Sequence, residues 1–134
     1  MKTNKLLLIL LLLSVCLTAC GRTDPWQSAK YTEDTTLGEG SITFNLIVEV
    51  EEHTVNFTVL TSKENLGEAL LGVGLVDGED GPYGLYVKSV NGVVADYDVD
   101  GAFWGVYIGD KAADTGVSGI TIENGATYKL VYTK

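Results

Sequence analysis

Two cysteines, one histidine, one methionine and two prolines occur in 134 residues. Both cysteines, Cys16 and Cys20, lie near the N-terminus, so the rest of the chain has no disulfide, no cysteine-ligated metal and no thiol nucleophile. A lone histidine, His53, leaves no convincing Ser-His-Asp or Cys-His set. Nor is there a P-loop or a dinucleotide glycine pattern, and enzymatic activity is not expected. Basic side chains are scarce, nine against 18 acidic, for a net charge of −9. Such a surface repels phosphate backbones, so nucleic acid is excluded as an expected partner. Long apolar runs are also scarce. The one that stands out, Leu6 to Leu13, is too short for a stable membrane span.

That run follows Lys2 and Lys5 and precedes Leu17-Thr18-Ala19-Cys20, the layout of a secretory signal peptide over residues 1–19. The Leu-Thr-Ala-Cys ending resembles a bacterial lipobox. The resemblance implies cleavage before Cys20, lipid (palmitate-type) acylation of its thiol, and anchoring to the cell membrane on the extracytoplasmic side. Two acyl chains hold durably where one binds only reversibly. Without Lys2 and Lys5 the nine basic side chains become seven against 18 acidic, a charge of −11 on the exported chain.

Sixteen glycines and an apolar set rich in Val, Ile, Leu and Tyr favour a turn-rich all-β or α+β domain. Residues 20–40 show no apolar period and read as a lipidated cysteine with a flexible tether; Trp26 is their one oddity. From Ser41 the pattern changes. Ile42, Phe44, Leu46, Val48 and Val50 alternate with mostly polar neighbours, and after Glu51-Glu52-His53 so do Val55, Phe57 and Val59. Period two on both sides of a short turn predicts a hairpin. Asn65 with Glu68 three residues on has capping-box spacing, and Leu66, Ala69, Leu70 and Val73 make one helical stripe. Residues 77–82 read as a loop. Strands are expected from Tyr83 to Val90, with Asn91-Gly92 as a hairpin turn, then from Ala102 to Ile108 and from Thr127 to Thr133. The order hairpin, helix, strand pairs predicts an α+β domain over 41–134, a β-grasp-like mixed sheet with one covering helix.

Two constellations stand out. Asp96, Asp98 and Asp100 before Gly101 match the first half of a calcium loop, but position 12 would be Tyr107, not a glutamate. An acidic solvated turn with local hydrogen bonds is the expectation there. Eight aromatics, among them Tyr83, Tyr86, Phe103, Trp104 and Tyr107, crowd the second half. They either pack the core or offer flat area to a planar ligand.

The runs Tyr83 to Gly92, Asp96-Tyr97, Gly101 to Ile108, Ala113 to Val117 and Glu123 to Thr133 resemble the transcobalamin-like C-terminal domain family. The resemblance spans about Ser41 to Thr133. It implies a β-grasp-like domain that in vitamin B12 carriers closes over one face of the corrin, opposite an α/α barrel. It makes Trp104 the contact carried over, with Phe103 and Tyr107 beside it, and cobalamin or a related corrinoid the implied ligand. Two departures matter: no α/α barrel is present, and Gly105 stands where the carriers have a larger polar residue. A partner protein would then complete the site. The alternative is a protein-interaction or adhesion module with no small-molecule ligand.

Overall fold

The computed structural model describes Asp24–Lys134, so the expectations for the signal peptide and for Cys20 fall outside the described residues. In chain order the strands are β1 (Thr35–Gly38), β2 (Ile42–Val50), β3 (His53–Thr61), β4 (Val76–Gly81), β5 (Gly84–Val90), β6 (Val93–Val94), β7 (Phe103–Ile108), β8 (Lys111–Ala112) and β9 (Thr127–Thr133). Helix α1 is Leu66–Gly72 and α2 the single turn Tyr97–Asp100.

The expected hairpin is present. β2 and β3 pair antiparallel from Ile42↔Thr61 to Val50↔His53 across Glu51-Glu52. Phe44, Leu46, Val48, Val50, Val55, Phe57 and Val59 all turn inward and are 0–1 % exposed. β9 adds parallel to β2, and β7 antiparallel to β9, giving a six-stranded mixed sheet in the order β1-β3-β2-β9-β7-β8. The expected stripe of β9 is also inward, with Tyr128, Leu130 and Tyr132 buried.

α1 covers the inner face, burying Leu66, Gly67, Ala69 and Leu70. Its start is set by Asn65, whose Oδ1 accepts the Glu68 N–H at 2.8 Å. Removing that acceptor strands a helix-end donor. Asn65→Ala should therefore cost about 1 kcal/mol of unfolding free energy in a urea titration.

Two expectations are corrected. Residues 77–82 are not a loop: Val76–Gly81 is a strand, paired with β5 and bulged between Asp77 and Gly78. Its Gly and Asp content signals a turn locally, but β5 supplies a partner for its backbone groups. With β6 it forms a second, three-stranded sheet in the order β4-β5-β6. Nor are residues 24–40 a tether. Pro25–Ser28 form a 3-10 turn capped by Asp24, and β1 pairs parallel with β3 from Thr35↔Phe57 to Gly38↔Leu60. Trp26, Ala29, Tyr31 and Leu37 pack against the core without any regular spacing, which is why no period betrays them.

Candidate functional site

The tip of the β4–β5 hairpin exposes two aromatics, Tyr83 and Tyr86. Gly81 pairs with Gly84, leaving Pro82 and Tyr83 at the apex. Gly84 has φ +96° and lies so close to the Ser118 side chain that a Cβ could not fit. The Ser118 Oγ accepts the Leu85 N–H at 3.0 Å, tying the hairpin to the Val117–Gly119 turn. Tyr83 is 94 % exposed and Tyr86 49 %. Between them opens a cleft of about 380 Å³, lined by Pro82, Tyr83, Leu85, Tyr86 and Gly116 among others. No charged side chain lines it; Glu79 and Lys88 pair beside it at 3.1 Å. The hydrogen bond to Glu79, and then its charge, hold the Lys88 ammonium above the usual lysine pKa. An open, largely apolar cleft edged by phenols suits a flat amphipathic molecule rather than an ion.

The three residues singled out from the sequence do not form one surface. β7 alternates, with Phe103, Gly105 and Tyr107 on one face and Trp104 and Val106 on the other. Trp104 is 6 % exposed and meets Tyr132 edge-to-face, with ring centroids 5.7 Å apart. Its indole therefore belongs to the core and presents no exposed patch. Phe103, 40 % exposed, and the half-buried Tyr107 lie on the outer sheet face with Val131 and Ile47. There Lys129 pairs with Glu49 at 3.5 Å and Asp110 at 3.7 Å. Tyr83 and Tyr86 were visible in the sequence only as members of a crowded aromatic set. Their signal was a Pro-Tyr pair between two glycines, an apex that cannot bury its aromatic.

The acidic segment behaves as local chemistry predicts. Asp96 Oδ1 accepts the Asp98 N–H, and Asp100 Oδ1 accepts the Ala102 N–H, each at 3.1 Å. These carboxylates cap a helical turn rather than converge. Among the described residues no three His, Cys, Asp or Glu side chains come together as a metal would require. The His53 ring stacks on Trp26 at 4.9 Å with 7° between planes. Burial, reinforced by Asp100 and Glu51, raises the Tyr132 phenol pKa.

No family model matches the chain, and no curated protein sequence does. Two solved structures are similar. One is a candidate metal-binding protein from Ruminococcus gnavus ATCC 29149, with TM-score 0.66 and 26 % identity over 70 % of this chain and 98 % of that one. The other is haptocorrin in complex with Cbi, with TM-score 0.52 and 21 % identity over 69 % of this chain. The likeness shows that the chain shares its fold with part of haptocorrin. The match spans 25 % of the haptocorrin chain.

Proposed function

We propose that this protein is a membrane-anchored, non-enzymatic binding module that presents the Tyr83–Tyr86 cleft to a planar amphipathic ligand, with a corrinoid as the leading choice. The observation that carries this reading is the exposed, uncharged aromatic cleft on a hairpin fixed by Ser118. Its likeness in fold to part of haptocorrin, a protein solved with Cbi, directs the choice of ligand. Anchoring follows from Leu17-Thr18-Ala19-Cys20 as a lipobox, with the module held outside the cytoplasm. One cleft touches one face of such a ligand, so a partner protein would supply the other side.

Titration calorimetry of the detergent-solubilised protein with cobalamin and cobinamide tests this. Tyr86→Ala and Tyr83→Ala should each weaken binding by roughly 1–2 kcal/mol, the value of one aromatic contact with its buried area. Melting curves should be nearly unchanged, because both side chains are exposed. No heat of binding at millimolar ligand would overturn the corrinoid reading.

A second reading, a protein-interaction or adhesion surface, rests on the outer sheet face, where Phe103, Tyr107, Val131 and Ile47 have no covering layer among the described residues. Phe103→Ser would then abolish partner capture and leave corrinoid titration untouched.

A further inference from the structure

The fold starts almost where the anchor ends. On the reading of Cys20 as the acylated residue, on which this inference rests, only Gly21, Arg22 and Thr23 precede Asp24. Four Cα steps reach at most about 14 Å when fully extended. Asp24 is not free to swing. Its Oδ1 accepts the Trp26 N–H at 3.0 Å, and the Pro25–Ser28 turn that it caps packs against β6. The Ser28 carbonyl presses on Gly92, which has φ +79° and no room for a Cβ. The Lys30 N–H donates to the Asn91 carbonyl at 2.8 Å, and Trp26 stacks on His53. The entry point of the chain is therefore pinned to the Asn91 end of β5.

The aromatic cleft lies at the other end. β5 is seven residues long, about 23 Å at ~3.3 Å per residue, and runs from Gly84 beside the cleft to Val90 beside the anchored end. We propose that the bilayer faces the end of the domain built from the Pro25–Ser28 turn, the Asn91-Gly92 turn and the β2–β3 turn. The Tyr83–Tyr86 cleft then points away from the membrane. The surface chemistry of that end is mixed. Val94 is 60 % exposed and Trp26 offers an indole of the kind that suits an interface, whereas Asp24, Glu51 and Glu52 are exposed acids. Attraction to anionic lipid is not what orients the domain; the short connection is.

The processed chain has no thiol beyond Cys20, so single reporters are clean. Gln27→Cys, on the exposed side of the Pro25–Ser28 turn, and Tyr83→Cys, at the hairpin apex, carry a fluorophore in the lipidated protein in phosphatidylcholine vesicles. Headgroup-nitroxide lipid should quench the label at 27 several-fold more than at 83. A 15-residue Gly/Ser insertion between Thr23 and Asp24 should bring the two close together. Equal quenching, stronger quenching at 83, or no effect of the insertion overturns the orientation. Mass spectrometry of Cys20 on the same sample separates the causes. An unacylated Cys20 sinks anchoring and orientation together, whereas an acylated Cys20 with equal quenching sinks the orientation alone.

Discussion

Trp104→Ala should lower the unfolding free energy by about 3–5 kcal/mol, the usual cost of truncating a large buried aromatic. The indole sits near the start of β7, 6 % exposed, with Tyr132 edge-on at 5.7 Å and Leu130 and Ala102 in the same buried cluster. Alanine leaves a cavity that a strand held in register against β9 cannot close by collapsing inward. A conservative change separates packing from polarity. Among the described residues the buried indole Nε1 has no hydrogen-bond partner, and an unmet donor costs about 1–3 kcal/mol by itself. Trp104→Phe removes that donor while keeping one ring, so it should cost much less than alanine, below about 1.5 kcal/mol. Guanidinium unfolding of the three proteins measures both. If alanine costs under about 1 kcal/mol, Trp104 is not a core residue and the carried-over ligand contact returns to consideration.

Asn91→Ala should cost about 2–4 kcal/mol and loosen the N-terminal arm. Asn91 is 1 % exposed and spans 60 residues of sequence to meet one residue twice. Its Oδ1 accepts the Tyr31 N–H and its Nδ2 donates to the Tyr31 carbonyl, both at 2.8 Å. Each bond contributes about 1 kcal/mol net, and orphaned partners that stay buried add more. Asn91 also occupies a left-handed conformation, φ 52°, which asparagine tolerates better than alanine. Asn91→Gly therefore restores the backbone contribution but not the two bonds, and should fall between wild type and alanine. Limited proteolysis after Lys30 gives the local readout. Cleavage should accelerate in Asn91→Ala before the global transition is reached, and an unchanged cleavage rate would mean that the arm is held elsewhere.

The elements legible in the sequence were those whose apolar period matches one buried face. β2, β3 and β9 carry an apolar residue at nearly every inward position because each shows the core every second residue, so Phe44, Phe57 and Tyr128 could be assigned without coordinates. Asn65 and Glu68 marked the helix start because a cap is a contact three residues long. Asn91-Gly92 marked a turn because both positions need positive φ, here 52° and 79°. β4 escaped notice because Asp77-Gly78-Glu79-Asp80-Gly81 carries no strand signal. An edge strand of a small sheet is held by its neighbour's backbone, which composition does not encode.

The site divided in the same way. In β7 Phe103 shares a face with Tyr107, and Trp104 shares the other with Val106. Which face was the core could not be read from β7 alone, since both faces carry an aromatic. The family resemblance pointed to Trp104 as ligand-facing, whereas the β7–β9 register sets Trp104 opposite Tyr132, on the buried side of β9. The exposed tyrosines of the cleft are distinguished from the buried Tyr128 and Tyr132 only by the closed turn at Pro82-Tyr83 and the Ser118 bond that holds it.

By itself the sequence determined the α+β class, the hairpin and closing strand, the helix cap and the scarcity of catalytic groups, because each depends on local spacing or on composition. Tertiary structure alone decided that Asp24–Gly38 belongs to the fold, that Trp104 is core, and that the cleft and the chain entry lie at opposite ends of β5. Each of these depends on contacts between residues far apart in sequence, such as Tyr31 with Asn91 and Leu85 with Ser118, and no periodicity records such a pairing.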